Sequence, residues 1–315
     1  MAYLNSIFEI SLPETKLSNN EISSSFPEWT PDKIYSKIGI ESRHHCALNE
    51  DSLDLANNAF IKFAKKNKSL IEEIDFLIYV SNSSRKKAPG DGHLLLNYNK
   101  SLFTLNPGCL DLNLGCSGYS YALGLASALI QNGSNKKIMV VTSDNYSKYI
   151  SKKDKNNITL FGDAASISIV SDENITDDFW KISNFKSGTF SEGYNDLFIS
   201  NTFNSLGSKL NMNGQNIFKF SSQIVFDFIK SQELDLNQYV SVFHQANSFM
   251  LNYLRDKLNI DKENFINSLK NTGNTVSSSI PISIKKNLKD LKNKDLFLCG
   301  FGIGASYSSV ILEKQ

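Results

Sequence analysis

Cysteine is scarce in this 315-residue chain. Cys46, Cys109, Cys116 and Cys299 are too few for a disulfide framework at this length, and no CxxC spacing suggests zinc. A reducing compartment is expected. Charge of one sign is also not in excess. The 33 Lys plus Arg against 32 Asp plus Glu leave a net charge of +1. Neither a nucleic-acid footprint nor an acidic disordered tail is expected from that balance. No apolar run approaches the roughly 18 residues of a membrane span. The opening MAYLNSIFEISLPETKLSNNE lacks the basic-then-apolar order of a secretory signal. These absences together predict a soluble, cytoplasmic protein. His44, His45 and His93 make no ligand spacing with nearby Cys or carboxylates, and adjacent His44 and His45 point apart on any regular element, so no metal site is expected.

What is present is a strong hydrophobic pattern. The chain is 41% hydrophobic, enough for one large domain or two ordinary ones. Ser52–Lys66 carries Ala56, Ala59, Phe60, Phe63 and Ala64 along one helical face. Ile74–Val80, Lys136–Thr142 and Leu296–Gly300 are continuous apolar runs of the kind buried on both faces of a sheet. Their alternation predicts an α/β architecture with helices covering a mostly parallel sheet. Lys148–Asn157 (KYISKKDKNN) reads as an exposed loop.

The order of elements repeats. In CLDLNLGCSGYSY (109–121) the alternating Leu110, Leu112 and Leu114 form a strand that runs into Cys116, and helical spacing follows through Ala122, Leu125, Ala126, Leu129 and Ile130. Later, YVSVF (239–243) runs into His244, and a helix follows with Met250, Leu254 and Leu258 four apart. LFGDAASISIV (160–170) and LCGFGIGASYSSVIL (298–312) are both glycine turns leading into a strand. The pattern predicts two halves, 1–172 and 173–315, with the boundary near Ser171–Asp178.

Three positions at element ends can carry chemistry. A cysteine at a helix N-terminus sits beside unpaired N–H groups and the positive end of the helix dipole. Both favour the nucleophilic thiolate, and the same N–H groups can hold an oxyanion. His244, in FHQAN (243–247), can accept a proton or donate to a developing negative charge. Asn274, in NTGNT (271–275), can donate to a carbonyl oxygen without changing charge. Read singly, each has a plainer reading: a buried small hydrophobe, a structural imidazole, a turn residue. Together and in this order, Cys116, His244 and Asn274 make a candidate catalytic set.

The chain resembles the 3-oxoacyl-acyl-carrier-protein synthase III family of the thiolase superfamily. The similarity is carried by GIESR (39–43), NLGCSGY (113–119), FGDA (161–164), MNGQNIF (212–218), HQAN (244–247), GNT (273–275) and GFGIG (300–304). It implies a duplicated five-layer αβαβα fold, usually homodimeric. It implies that Cys116 takes an acyl group from coenzyme A or an acyl carrier protein as a thioester. His244 and Asn274 would then hold the carbonyl of a malonyl carrier as CO₂ leaves, and the enolate would attack the acyl group. The product would be a 3-oxoacyl thioester, as in fatty acid biosynthesis. The backbone N–H groups of Cys116 and Gly304 match the family's oxyanion hole. Phe161, Met212, Phe218, Ala246 and Asn247 fall in matching segments and would line the substrate path, with no cofactor beyond the phosphopantetheine thioester itself.

Some positions depart from that family. Lys33 stands where many members stack a Trp on the coenzyme A adenine, and Phe249 stands where an Arg docks the carrier. Lys155 keeps a basic position near the entrance. Ala88 occupies the place of a bulky residue that often closes the acyl pocket, which predicts a pocket not restricted to acetyl. An alternative keeps the fold but passes the acyl group to an amine or hydroxyl in a surface-polysaccharide or secondary-metabolite pathway. Thiolase proper is a poorer match, since no GHPxG segment exists. A catalytically inactive partner subunit is disfavoured because the nucleophile is retained.

Overall fold

The computed structural model describes residues 1–200 and 209–315. Among them the strands are β1 (Tyr3–Ser11), β2 (Lys16–Ser18), β3 (Ser42–His44), β4 (Phe76–Val80), β5 (Gly108–Leu112), β6 (Lys137–Asp144), β7 (Ala164–Ser171), β8 (Phe179–Thr189), β9 (Leu197–Ser200), β10 (Lys209–Met212), β11 (Val240–Phe243), β12 (Leu296–Gly302) and β13 (Ser306–Lys314). Nine of them hydrogen-bond in the order β11-β12-β13-β8-β1-β7-β6-β4-β5, and β2–β3 and β9–β10 form separate two-stranded ribbons. The segment between β7 and β8, residues 172–178, is where the sequence places the junction of the halves. The halves are joined within the sheet by three β1–β8 pairs, Tyr3 with Lys181, Leu4 with Trp180 and Asn5 with Phe179.

The apolar runs are interleaved between layers. In β4, Leu77 and Tyr79 join an outer core with Phe60 and Phe63, while Ile78 and Val80 point the other way into a central core. In β6, Ile138 and Val140 are central and Met139 and Val141 outer. The second half mirrors this arrangement. Leu296 and Leu298 of β12 are central, whereas Phe297 and Cys299 belong to the opposite outer core, with Phe243, Met250 and Leu254. Strands have a side-chain period of two, so a continuous apolar run fills two cores at once. The central core is completed by Tyr119, Ala122, Leu123 and Ala126 of helix Gly118–Gln131 and by Ile280 and Ile284 of helix Ser279–Lys286. Helix, sheet, helix, sheet, helix is the resulting αβαβα sandwich.

Helix Ser52–Lys66 shows how local signals agree with packing. Asp51 caps it, accepting from the N–H groups of Leu53 and Asp54, and Asp54 completes the capping box. Lys65 and Lys66 lie in its last turn, at the negative end of the dipole. Phe60 and Phe63 are fully buried, each contributing roughly 1.5–3 kcal/mol of burial free energy.

Two expectations change. The sheet is mixed rather than mostly parallel: β4–β5, β4–β6 and β11–β12 run parallel, but β1–β7, β1–β8, β6–β7, β8–β13 and β12–β13 run antiparallel. An apolar run reports that both faces are covered, and carries no information about the direction of its neighbours. The Lys148–Asn157 segment, read as an exposed loop, contains a short helix, Lys155–Ile158, capped by Asp154, and its Asn157 is buried.

Candidate active site

β5 ends at Leu112, and the chain turns through residues 113–117 into helix Gly118–Gln131. Cys116 lies in that turn, one residue before the N-cap Ser117, and is buried. The end of β12 lies directly against it. A Cβ at Gly302 would come within 2.7 Å of Cys116 Cβ and 2.9 Å of Sγ, so this contact requires glycine. The N–H groups of Ile303 and of Cys116 itself are directed at the sulfur and favour its anion. Burial outweighs them. It pushes the thiol up to about 12, and the negative charge of Asp144 adds to the effect. The resting nucleophile is therefore a neutral thiol, contrary to the thiolate that its helix position alone predicts. Burial of the sulfur outweighs the two N–H groups that face it.

His244 follows β11 directly, and its N–H donates to the Cys299 carbonyl (2.8 Å). Its Nδ1 is 2.7 Å from Ser279 Oγ, which also receives the Gln245 N–H at 3.4 Å. Ser279 Oγ therefore anchors the ring through Nδ1, and the ring's other nitrogen, Nε2, is the one left to meet a substrate. Burial lowers the imidazole to about 3, with the Val276 carbonyl opposing. The ring is neutral at physiological pH. Asn274 is fixed through its backbone: its N–H donates to Leu160 (2.9 Å) and its carbonyl accepts from Gly162 (2.9 Å). Its Oδ1 accepts from the Val276 N–H (3.0 Å), which leaves Nδ2 as the free end of the amide.

Cys116, His244 and Asn274 line one cavity of about 80 Å³. Phe161, Met212, Ala246 and Asn247 line it too, together with Leu160, Leu197 and Phe301. Asn247 has a second task, capping helix Ser248–Lys257 through the Met250 N–H (2.9 Å). Phe218 does not line the cavity. It packs outside against Phe249 (5.6 Å) and Tyr253 (5.0 Å), and Phe249 is 60% exposed. Ile217, one residue earlier, faces the cavity instead. Gly304 lines a separate cavity of about 790 Å³ with Asn82, Arg85 and Tyr149. The Ile303 N–H, one residue before Gly304, is directed at the Cys116 sulfur. Ala88 is exposed on the 84–90 loop and does not line the Cys116 cavity.

Lys33 and Lys155 converge on a residue that the motifs passed over. The Trp29 ring lies 5.5 Å from Lys33 Nζ, 5.1 Å from Lys37 Nζ and 5.7 Å from Lys155 Nζ. The indole is therefore present, four residues earlier than the motif position, and a Trp flanked by lysines at i+4 and i+8 was the available signal. His44 and His45 do face apart, to the carbonyls of Pro13 and Phe161. His93, however, is brought to within 4.8 Å of donor atoms on Cys109 and Asp111. Their separation in sequence hid this. Asp111, on β5, reaches the start of helix Asp91–Tyr98 and accepts from the Gly92 N–H (2.8 Å), which draws His93 alongside (3.1 Å). Among the described residues no helix is long and apolar enough to cross a membrane.

Two half-sheets around shared helices, with a thiol from one half and an imidazole and carboxamide from the other meeting in one cavity, define an enzyme of the thiolase superfamily. Comparison with known proteins narrows this. The family described as 3-oxoacyl-[acyl-carrier-protein (ACP)] synthase III matches residues 110–190, and its C-terminal counterpart matches residues 231–314. A beta-ketoacyl-[acyl-carrier-protein] synthase III of Staphylococcus epidermidis is 29% identical over 307 residues, spanning 94% of each chain. One from Clostridium perfringens is 28% identical over 313 residues, spanning 94% of this chain and 95% of its own. A crystal structure of a 3-oxoacyl-(acyl-carrier-protein) synthase III superposes with a TM-score of 0.90 at 30% identity, covering 99% of this chain and 100% of that one. That of the Burkholderia xenovorans synthase gives 0.87 at 28% identity, covering 99% and 93%. The chain belongs to the 3-oxoacyl-[acyl-carrier-protein] synthase III family and is an enzyme of the acyltransferase class.

Proposed function

We propose that the chain catalyses the decarboxylative Claisen condensation of an acyl thioester with a malonyl-carrier extender, as in fatty acid biosynthesis. Cys116 sulfur bonds to the acyl carbon, and the donor thiol leaves with the proton that the sulfur gives up. The malonyl unit then enters with its thioester carbonyl facing His244 Nε2–H and Asn274 Nδ2–H. Its bond to the carboxylate breaks and CO₂ departs. The electron pair remains as an enolate held by two neutral donors in a dry cavity. The enolate carbon bonds to the acyl carbon, the oxyanion is met by backbone N–H groups of Cys116 and of the 303–304 turn, and collapse expels Cys116 sulfur as a thiolate that takes up a solvent proton to restore the thiol. The observation that carries this reading is the convergence of Cys116, His244 and Asn274 on one cavity, with both donors anchored and uncharged. Intact-mass detection of acyl-Cys116, followed by CO₂ release on adding malonyl carrier, tests it. An acyl-enzyme that passes its group to an amine or hydroxyl without CO₂ release would overturn it.

The acyl donor in this reading is a phosphopantetheine thioester of coenzyme A or of an acyl carrier protein, with no other cofactor. Trp29 with Lys33, Lys37 and Lys155 supports acceptance of coenzyme A, since an indole face and ammonium groups suit an adenine ring and its phosphates. Trp29→Ala should raise KM for acyl-coenzyme A more than for acyl carrier protein. The reading includes a homodimer. β5 ends the sheet order, Leu110 on it is 37% exposed, and the segment leading into it exposes Leu102 (38%) and Leu105 (45%). An edge strand of this kind is suited to pairing with a second copy. Four free thiols agree with a cytoplasmic setting.

A further inference from the structure

Asp144 closes β6 and is fully buried, yet it takes no part in the steps above. Its carboxylate is held by five uncharged donors that come from two places. Oδ1 accepts from the Asn82 N–H (2.9 Å), Ser83 Oγ (3.2 Å) and Ser81 Oγ (3.4 Å), all just after β4. Oδ2 accepts from the Ser277 N–H (3.2 Å) and Ser277 Oγ (2.5 Å), three residues beyond Asn274. One carboxylate thus ties the first half of the fold to the segment that carries the amide of the second.

That segment is not relaxed. Val276 has φ 51°, in the left-handed region where a β-branched residue is a true outlier. Strain of this sort persists only where the surroundings over-determine it. Here the Val276 N–H is taken by Asn274 Oδ1, and the next residue, Ser277, is gripped by Asp144 at both backbone and side chain. The Val276 carbonyl lies beside the His244 ring, and Ser279 Oγ contacts its Nδ1. The short 274–279 segment therefore decides where both the amide and the imidazole point.

We propose that Asp144 is a positioning residue for the decarboxylation and condensation steps: by clasping Ser277 against the 81–83 turn, it holds Val276 in its left-handed conformation and so aims Asn274 and His244 at the extender carbonyl. This rests on the condensation reading above. Cys116 acylation does not need that aim.

The test resolves the two half-reactions in Asp144→Asn, whose amide cannot accept at both positions. Acylation, followed by intact mass, should not slow, since removing the Asp144 charge eases ionisation of Cys116, while CO₂ release from malonyl carrier falls about 100-fold, the scale of a lost oxyanion donor. Burial raises the Asp144 carboxyl to about 6, against its hydrogen bonds. Wild-type CO₂ release should therefore decline as pH drops through 6, where the protonated acid must donate towards N–H groups that already donate. That limb should be missing from acylation and from the variant. The other titratable groups facing Asp144 are Tyr79, Cys116, Lys148, Tyr146 and Tyr149, from the strand, turn and segment packed around it. If Asp144→Asn does not fold, Ser277→Ala removes one clasp and should show the same split, about tenfold. Equal losses in both half-reactions, or none in either, would overturn the proposal. Wild-type enzyme that acylates but releases no CO₂ would instead overturn the condensation reading.

Discussion

Ser279 Oγ stands 2.7 Å from His244 Nδ1, and it does so from a helix 35 residues further along the chain. The contact fixes the orientation of the imidazole ring. Ser279→Ala should leave acylation of Cys116 nearly intact and slow CO₂ release from malonyl carrier about 10- to 100-fold, within the range for positioned proton and hydrogen-bond partners. Single-turnover kinetics of the two half-reactions would check this. Equal slowing of both would mean that Ser279 only supports packing.

Cys116→Ala removes the sulfur but leaves both donors. No acyl adduct should appear by intact mass, and condensation should fall by at least about 10³-fold. Decarboxylation of malonyl carrier should survive measurably in the same variant, because His244 and Asn274 still face the cavity.

Gly302→Ala introduces a methyl 2.9 Å from Cys116 Sγ. The neighbour is the nucleophile itself, on a turn packed against β12, so it cannot move aside freely. The expected cost is about 1–3 kcal/mol of stability, read as a lower Tm, with a larger proportional loss of the acylation rate.

His244 links stability to pH. Its folded value, about 3, lies below the ordinary imidazole value of 6.5, because burial disfavours the charged ring. Between those values the unfolded chain binds the proton and the folded one does not, so this contribution is present above pH 6.5 and is lost as pH falls towards 3. The raised carboxyl of Asp144 acts in the opposite sense between about 4 and 6. Thermal melts of wild type and His244→Asn across pH 4–7 should show the steeper acid loss in wild type.

The parts legible in the sequence were those with strong local pattern. The apolar runs of β4, β6 and β12 and the helical face of Ser52–Lys66 mark strands and a helix because each side chain's destination repeats with a fixed period. The seven motif segments named the thiol, imidazole and carboxamide that the structure brings to one cavity. What was not legible depended on distances across the fold. That the Ile303 N–H is directed at the sulfur follows from how the glycine-rich turn folds back on residue 116. Phe218 and Ile217 differ only in which side of a helix turn they occupy. Trp29 meets Lys155 across 126 positions, and Asp144 meets Ser277 across 133. No pattern confined to one segment can report such meetings.

The seam between the halves has a consequence for synthesis. Once residue 280 has left the ribosome, the nucleophile, the imidazole and the amide have all been made. The strand whose glycine seats the sulfur, and which receives the backbone N–H of His244, lies at 296–302. Nascent enzyme should thus be chemically silent until that strand docks, and a truncation just short of it should yield protein with every reactive group and no turnover.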